Sequence, residues 1–334
     1  MQALRKLLFP FSLIYSFVVY LRNLFYNKGI FKSTEYKLPL ICVGNLSVGG
    51  TGKTPMTEFL IALLKNTYKV AVLSRGYKRK SEGFILSNKN TKVEDIGDEP
   101  FQYHAKFNNI HIAVDADRRN GISQLQELVN PDLILLDDAF QHRKVKAGFN
   151  ILLTAYNDLY VNDFMLPAGN LRDNRREAKR ADIIVVTKCP VSISKDEKNA
   201  LIKKLTPKAY QKVFFTTIKY NDVVKSTEAE ININSLQSEK FTLVTGIANP
   251  KPLVDHLSNE GFSFEHLNFP DHHNFSDSEI KKLKKHPLIV TTEKDYVRLK
   301  NKISNLYYIG IKMEFLFNEK NEFSDSIIKY IESY

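Results

Sequence analysis

The sequence predicts an α/β fold: a parallel sheet covered by helices, a smaller second α/β domain, and a separate helix at the N-terminus. Three observations carry this. Apolar runs of strand length, rich in Val, Ile and Leu as strands buried on both faces must be, alternate with helical patterns. A glycine-rich loop closes the first of those runs, and the first 38 residues differ in texture from all that follow. At 334 residues the chain is long for one core and favours about two domains. With 43% hydrophobic and 25% charged residues it is globular rather than disordered or fibrous.

The N-terminal segment carries Arg5, Lys6, Arg22, Lys28, Lys32 and Lys37 against the single acid Glu35, around an uncharged stretch from Leu7 to Leu21. A helix of that length rises about 22 Å, short of the roughly 30 Å of a hydrocarbon core. Arg22-Asn23-Leu24-Phe25-Tyr26 follows instead of a small-residue cleavage site, so the segment is not read as a signal peptide. Residues 1–37 are expected to form an interfacial, membrane-associated helix and its connection. Phe9, Phe11, Leu13, Ile14, Phe17, Val18, Leu21, Leu24 and Phe25 would enter the acyl region, with flanking Arg and Lys at anionic head groups. A first helix packed on the core is the alternative. Apolar residues nearly encircle the segment, more than one protein face can cover, which favours the membrane.

Strands are expected at Leu40–Val43, Val70–Leu73, Ile110–Val114, Leu133–Leu136, Ile151–Thr154 and Ile183–Thr187. Helices are expected at Pro55–Leu64, Arg118–Val129 and Ser194–Leu205, the alternation of a doubly wound α/β layer. Polar residues dominate 221–240, which is read as a hinge between a domain at 38–220 and a smaller one at 241–334. The two cysteines, Cys42 and Cys189, have neither the number nor the spacing of a disulfide framework or zinc site, which points to a reducing compartment.

The sharpest motif is Ser47-Val48-Gly49-Gly50-Thr51-Gly52-Lys53-Thr54, between a buried strand and a helix. Glycines let consecutive backbone N–H groups converge on a phosphate, Lys53 reaches the terminal phosphates, and the Thr54 hydroxyl is suited to hold magnesium. Ser47 stands where the usual pattern has Gly, and Gly49 and Gly50 supply compensating freedom. The first domain is therefore P-loop NTPase-like, binding a nucleoside triphosphate with Mg2+. A second apolar strand ends in Asp137-Asp138, at the edge where such folds place an acid beside the metal. Asp137 is assigned to the metal and its water shell. Asp138, pointing elsewhere by strand alternation, is a second ligand, an orienting group or a turn residue.

The excess of 48 Lys and Arg over 37 Asp and Glu, a net charge of +11, asks for an acidic partner: nucleotide, nucleic acid or anionic lipid. Nucleic acid is not expected, because no zinc finger, aromatic platform or concentrated basic domain accompanies the charge. Arg75, Arg118, Arg119 and Arg172 are candidates for pairing with substrate phosphates.

These residues, with Val43 to Ser47, Leu73-Ser74-Arg75-Gly76-Tyr77, Gly97-Asp98-Glu99-Pro100, Asp137-Asp138-Ala139-Phe140-Gln141-His142, Leu166 to Arg172 and Phe269-Pro270-Asp271-His272-His273-Asn274-Phe275, resemble the tetraacyldisaccharide 4′-kinase family over nearly the whole chain. The resemblance implies transfer of the ATP γ-phosphoryl group to the 4′-hydroxyl of a lipid A disaccharide precursor, at the cytoplasmic face of the inner membrane, by a monotopic enzyme. It makes Asp98 the candidate general base and His272 its partner. It also places Asp173 among the substrate residues, at a position where many members carry Glu. Nothing in the sequence calls for an obligate protein partner. A soluble P-loop kinase of a small metabolite and a regulatory membrane NTPase are the alternatives.

Overall fold

A computed structural model describes residue 5 and residues 7–334; Lys6, counted above among the flanking cations, lies outside the described residues. The chain runs through α1 (Phe9–Asn27), β1 (Leu40–Asn45), α2 (Lys53–Leu64), β2 (Val70–Ser74), β3 (Ile85–Leu86), α3 (Val93–Ile96), α4 (Asp98–Lys106), β4 (His111–Val114), α5 (Arg118–Leu128), β5 (Leu133–Asp137), β6 (Phe149–Ala155), β7 (Ile183–Thr187), α6 (Lys195–Leu205), β8 (Lys212–Lys225) and β9 (Glu230–Asn232). It continues through β10 (Phe241–Thr245), α7 (Lys251–Asn259), β11 (Phe264–Asn268), α8 (Asp277–Leu283), β12 (Ile289–Thr292), α9 (Glu293–Leu299), β13 (Leu306–Phe315) and α10 (Lys320–Ile331). The expected strands and helices up to Leu205 all form, with ends displaced by no more than two residues. The short elements β3, α3 and α4 carry too little periodicity to be read in advance.

The strands join one sheet in the order β11-β10-β12-β13-β8-β7-β6-β1-β5-β2-β4-β3, with β9 alongside β8. β1 lies between β5 and β6, parallel to both, so the loop after Asn45 opens at the middle of a carboxyl edge, where parallel α/β sheets bind ligands. Ile41, Val43, Val72 and Leu135 face Met56, Leu60 and Ile61 of α2 on one side; Cys42 and Leu73 face Ile122 and Leu125 of α5 on the other. A second core gathers Val224, Leu243, Leu257, Val290 and Ile309.

The stretch read as a hinge needs correcting. Asn221–Lys225 completes β8 and pairs antiparallel with β13, and Glu230–Asn232 is β9. Polar residues mislead there because the apolar ones that turn toward the second core, Val224, Ile231, Ile233 and Leu236, are scattered among them. The chain also returns at its end: Phe323, Ile327 and Ile331 of α10 pack in the first core rather than the second.

Helix α1 is inverted relative to a helix packed on a globular core. Its buried positions are Ser12, Val19 and Asn23, while Phe9, Phe11, Leu13, Ile14, Phe17 and Val18 are 43–64% exposed. The seam binds through polar groups: Ser12 Oγ accepts from Ala168 N (2.9 Å), Tyr15 Oη donates to Arg172 O (3.2 Å) and Asn23 Nδ2 donates to Asp173 Oδ1 (2.7 Å). Two expectations change. Leu21, Leu24 and Phe25 are half-buried, with Phe25 edge-on to Phe31, so they do not extend the exposed apolar face. Arg5 and Arg22 are held by the protein, Arg5 by Pro167 O (3.1 Å) and Asn170 Oδ1 (3.0 Å) and Arg22 by Gln141 O (2.5 Å). Among the described residues no helix is long and apolar enough to cross a membrane.

Candidate active site

The loop from Ser47 to Gly52 is shaped by local backbone demands and pinned by distant partners. Gly49 and Gly52 adopt φ of 109° and 86°, which side chains disfavour, and Gly52 caps α2 so that the first N–H groups of the helix face the loop. Val48 N donates to Asn170 O and Arg172 N to Leu46 O, both at 2.8 Å, which zips the loop to the Leu166–Arg172 motif. Thr187 Oγ1 donates to Thr51 O and Asn45 Nδ2 to Thr51 Oγ1, again at 2.8 Å. Lys53 and Thr54 open α2 directly beyond it.

Asp137, the last residue of β5, is 1% exposed. Burial, then the charges of Glu99 and Asp138, push its carboxyl well above the usual range against the pull of Lys53 and Ser74. Its Oδ2 is buried with no hydrogen-bond partner. Asp138 turns away because it leaves the strand in a left-handed conformation, φ 48°. Both its oxygens are taken: Arg172 Nη1 donates to Oδ2 at 3.1 Å, Arg172 Nη2 contacts Oδ1, and Lys53 Nζ lies 3.7 Å from Oδ2. Burial alone would raise its pKa, but Lys53 and Arg172 outweigh burial and hold it below the ordinary value. Arg172 also reaches Asn45 Oδ1 at 2.5 Å.

Of the other arginines, Arg118 is 3% exposed and faces both aspartates, with Arg75 exposed at the end of β2 nearby. Two expected substrate residues are not brought to the cleft. Arg119 is exposed and pairs with Asp117, the N-cap of α5, at 2.9 Å. Asp173 is fully buried, accepting from Asn23 and from Asn174 N, because its shorter side chain is spent on the underside of α1.

Asp98 opens α4 after Gly97, whose φ of 87° makes the turn. His272 Nδ1 lies 2.6 Å from Asp98 Oδ2, joining residues 174 positions apart. Lys294 Nζ lies 2.9 Å from His272 Nε2 and Arg298 Nη2 lies 3.0 Å from Nδ1, so both ring nitrogens are framed by cations of α9. Arg298 completes the cluster, with Nε at 3.1 Å from Asp98 Oδ1 and Nη2 on Oδ2. Burial works to raise the pKa of Asp98, but the hydrogen bonds from His272 and Arg298 prevail and hold it at about 2. His272 is itself set by a φ of 60° and by its N–H donating to Gly246 O at 3.0 Å.

Sequence reasoning missed four residues here: Glu99, Lys188, Lys294 and Arg298. For Lys294 the available signal is the polar run Thr291-Thr292-Glu293-Lys294-Asp295 at the end of an apolar strand. Lys188 had no signal, because only the folding of β7 beside the loop brings it there. It adopts φ 57°, its Nζ lies 3.7 Å from where a side chain on Gly50 would begin, and burial followed by the charge of Lys53 lowers its pKa.

A central parallel strand feeding a glycine loop and helix, beside a strand ending in carboxylates, defines a P-loop nucleotide-binding protein. A family model described as tetraacyldisaccharide-1-P 4′-kinase matches residues 4–332. Tetraacyldisaccharide 4′-kinases of Flavobacterium johnsoniae and Bacteroides thetaiotaomicron are 52% and 42% identical, covering 99% and 98% of this chain and 98% and 93% of their own. LpxK from Aquifex aeolicus, solved in complex with ATP, is 31% identical with a TM-score of 0.81 over 98% of this chain and 99% of that one. The chain belongs to the tetraacyldisaccharide 4′-kinase family, and its activity is ATP-dependent phosphorylation at the 4′ position in lipid A biosynthesis.

Proposed function

We propose that this protein prepares the 4′-hydroxyl of tetraacyldisaccharide 1-phosphate with Asp98 and His272 while the loop, Lys53 and Lys188 hold ATP, at an anionic membrane surface on the cytoplasmic side. The observation that carries the reading is the Asp98–His272 hydrogen bond, which joins the half of the sheet that carries the phosphate loop to the other half. Asp98 is fully ionised at neutral pH and weakly basic. It accepts the hydroxyl proton as the new bond to phosphorus forms, when that proton becomes acidic, and His272 orients it. Lys53 and Lys188 bring two ammonium groups to one loop, which favours a polyanion there. Arg172 and Asp138, occupied with each other, position Lys53.

The donor set fits magnesium. Asp137 offers a buried carboxylate oxygen with no partner, beside the charges of Glu99 and Asp138, and Thr54 offers a hydroxyl at the start of α2. Among the described residues no three His, Cys, Asp or Glu form a cage, which suits an ion that takes most ligands from phosphates and water. Bound there, magnesium would neutralise charge on the transferring phosphates.

The exposed apolar face of α1 supports association with the membrane that carries the acceptor's acyl chains, without crossing it. The deciding experiment incubates the protein with magnesium, labelled ATP and the disaccharide lipid. Label is expected in the lipid at the 4′ position; hydrolysis with unlabelled lipid would refute the reading.

A further inference from the structure

Helices α4 and α9 belong to different halves of the sheet, run antiparallel and are joined by charge at both ends. At one end Asp98, the first residue of α4, is gripped by Arg298 near the end of α9. At the other, Lys106, the last residue of α4, lies 3.0 Å from Glu293, the first residue of α9. Each acid sits at a helix N-terminus and each base near a C-terminus, so both pairs also agree with the helix dipoles. Asp98, Gln102 and Lys106 follow one another at intervals of four, which puts them on one stripe about 12 Å long.

The far end of this stripe reaches a third helix. Glu58, one turn beyond Thr54 on α2, accepts from Gln102 Nε2 at 2.8 Å and from Lys106 Nζ at 2.8 Å. Glu58 is 6% and Glu293 8% exposed, and the single Lys106 ammonium bridges both buried carboxyl groups. Burial and the nearby Glu293 push Glu58 up to about 7, against Lys106. Lys300 above the Phe101 ring, 5.4 Å from its centroid, adds a further contact between α4 and α9. None of these groups touches the phosphate loop or the Asp98–His272 pair, yet the three helices they join begin at Lys53, Asp98 and Glu293.

We propose that Lys106, bridging Glu58 and Glu293, is a positioning residue for phosphoryl transfer: it fixes α9 against α4 and the phosphate-loop helix so that Lys294 and Arg298 hold His272 onto Asp98. The inference rests on the reading of Asp98 and His272 as the pair that prepares the acceptor. Removing Lys106 takes away the one group that ties Glu58 to Glu293 and leaves both buried carboxyl groups without their bridging donor, which loosens α9 while leaving the loop that binds ATP in place.

The test uses the full chain with Lys106→Met, Glu293→Gln and, as a control on the underlying reading, Asp98→Asn. Turnover per folded molecule, the KM for ATP and the melting temperature are measured for each. Lys106→Met is expected to lower kcat by about tenfold or more with the KM for ATP within about twofold, and Glu293→Gln by a smaller factor in the same pattern. If Lys106→Met does not fold, the isosteric Glu293→Gln decides. Wild-type kcat per folded molecule in the clasp variants, whatever their melting temperatures, or a raised KM for ATP with unchanged kcat, would overturn the inference while an inactive Asp98→Asn leaves the acceptor reading intact. An active Asp98→Asn would overturn that reading itself, and this inference with it.

Discussion

Asn23 donates to Asp173 across a buried hydrogen bond of 2.7 Å, although 150 residues separate them in the chain. Asp173 follows Arg172, whose guanidinium holds Asp138 and Asn45 and whose carbonyl accepts from Tyr15. The exposed apolar helix and the phosphate loop therefore share one polar seam. Asn23→Leu removes the donor and leaves the Asp173 carboxylate buried with Arg180, at 3.6 Å, as its remaining charge. A loss of about 1–3 kcal/mol in unfolding free energy is expected by denaturant titration, with a fall in kcat as Arg172 loosens. Unchanged stability would mean that water replaces Asn23.

Asp98→Asn keeps shape but cannot accept a proton. Single-turnover measurements should show the chemical step slowed by about a hundredfold to ten-thousandfold with ATP affinity retained. The same variant tests the electrostatics. Because the folded pKa of Asp98, about 2, lies below its ordinary 3.8, the ionised carboxylate contributes stability that is complete above pH 3.8 and is lost as pH falls to about 2. The contribution is of order 2 kcal/mol, so the stability gap between wild type and Asp98→Asn should close over that window.

Lys53 and Lys188 should separate in a kinetic comparison. Lys53→Ala is expected to cut turnover by about a hundredfold to a thousandfold, since its charge follows the phosphoryl group into the transition state. Lys188→Met should raise the KM for ATP by about tenfold and leave kcat within a few-fold, as loss of a ground-state contact does. A Lys188→Met enzyme with wild-type KM would remove that lysine from the nucleotide site.

The membrane face can be tested without disturbing the seam. Phe11, Ile14, Phe17 and Val18, changed together to Ser, leave Ser12, Val19 and Asn23 in place. Each side chain that inserts contributes about 1.5–3 kcal/mol, so the affinity for anionic vesicles read by co-sedimentation should fall by about tenfold to a hundredfold per inserted residue. The KM for lipid should rise while that for ATP stays. Vesicle binding equal to wild type would show that the exposed face has another role. Deleting residues 1–27 is a blunter test, because it also removes the donor to Asp173.

The β-strands around the phosphate loop were legible because fully buried parallel strands must be apolar throughout, and Ile41, Val72 and Leu135 are. The loop was legible because close backbone approach to phosphate needs glycine at fixed spacing. Asn221–Lys225 reads as linker rather than strand for the complementary reason: a strand with one wet face has the composition of a linker.

The sequence by itself determined the α/β class, the phosphate loop, the paired aspartates and, through linked motifs, the Asp98 and His272 candidates. These depend on local periodicity, backbone conformation or the presence of a residue type. Only the tertiary structure decided which charges meet: that Arg298 and Lys294 frame the Asp98–His272 pair, that Lys188 joins Lys53, that Asp173 turns inward to Asn23 and that Arg119 stays outside. The reason is the range of the forces. Secondary structure is set by neighbours a few residues away, whereas an ion pair acts over a few ångströms of space, and which distant side chains come within that distance is fixed by how the strands are ordered in the sheet.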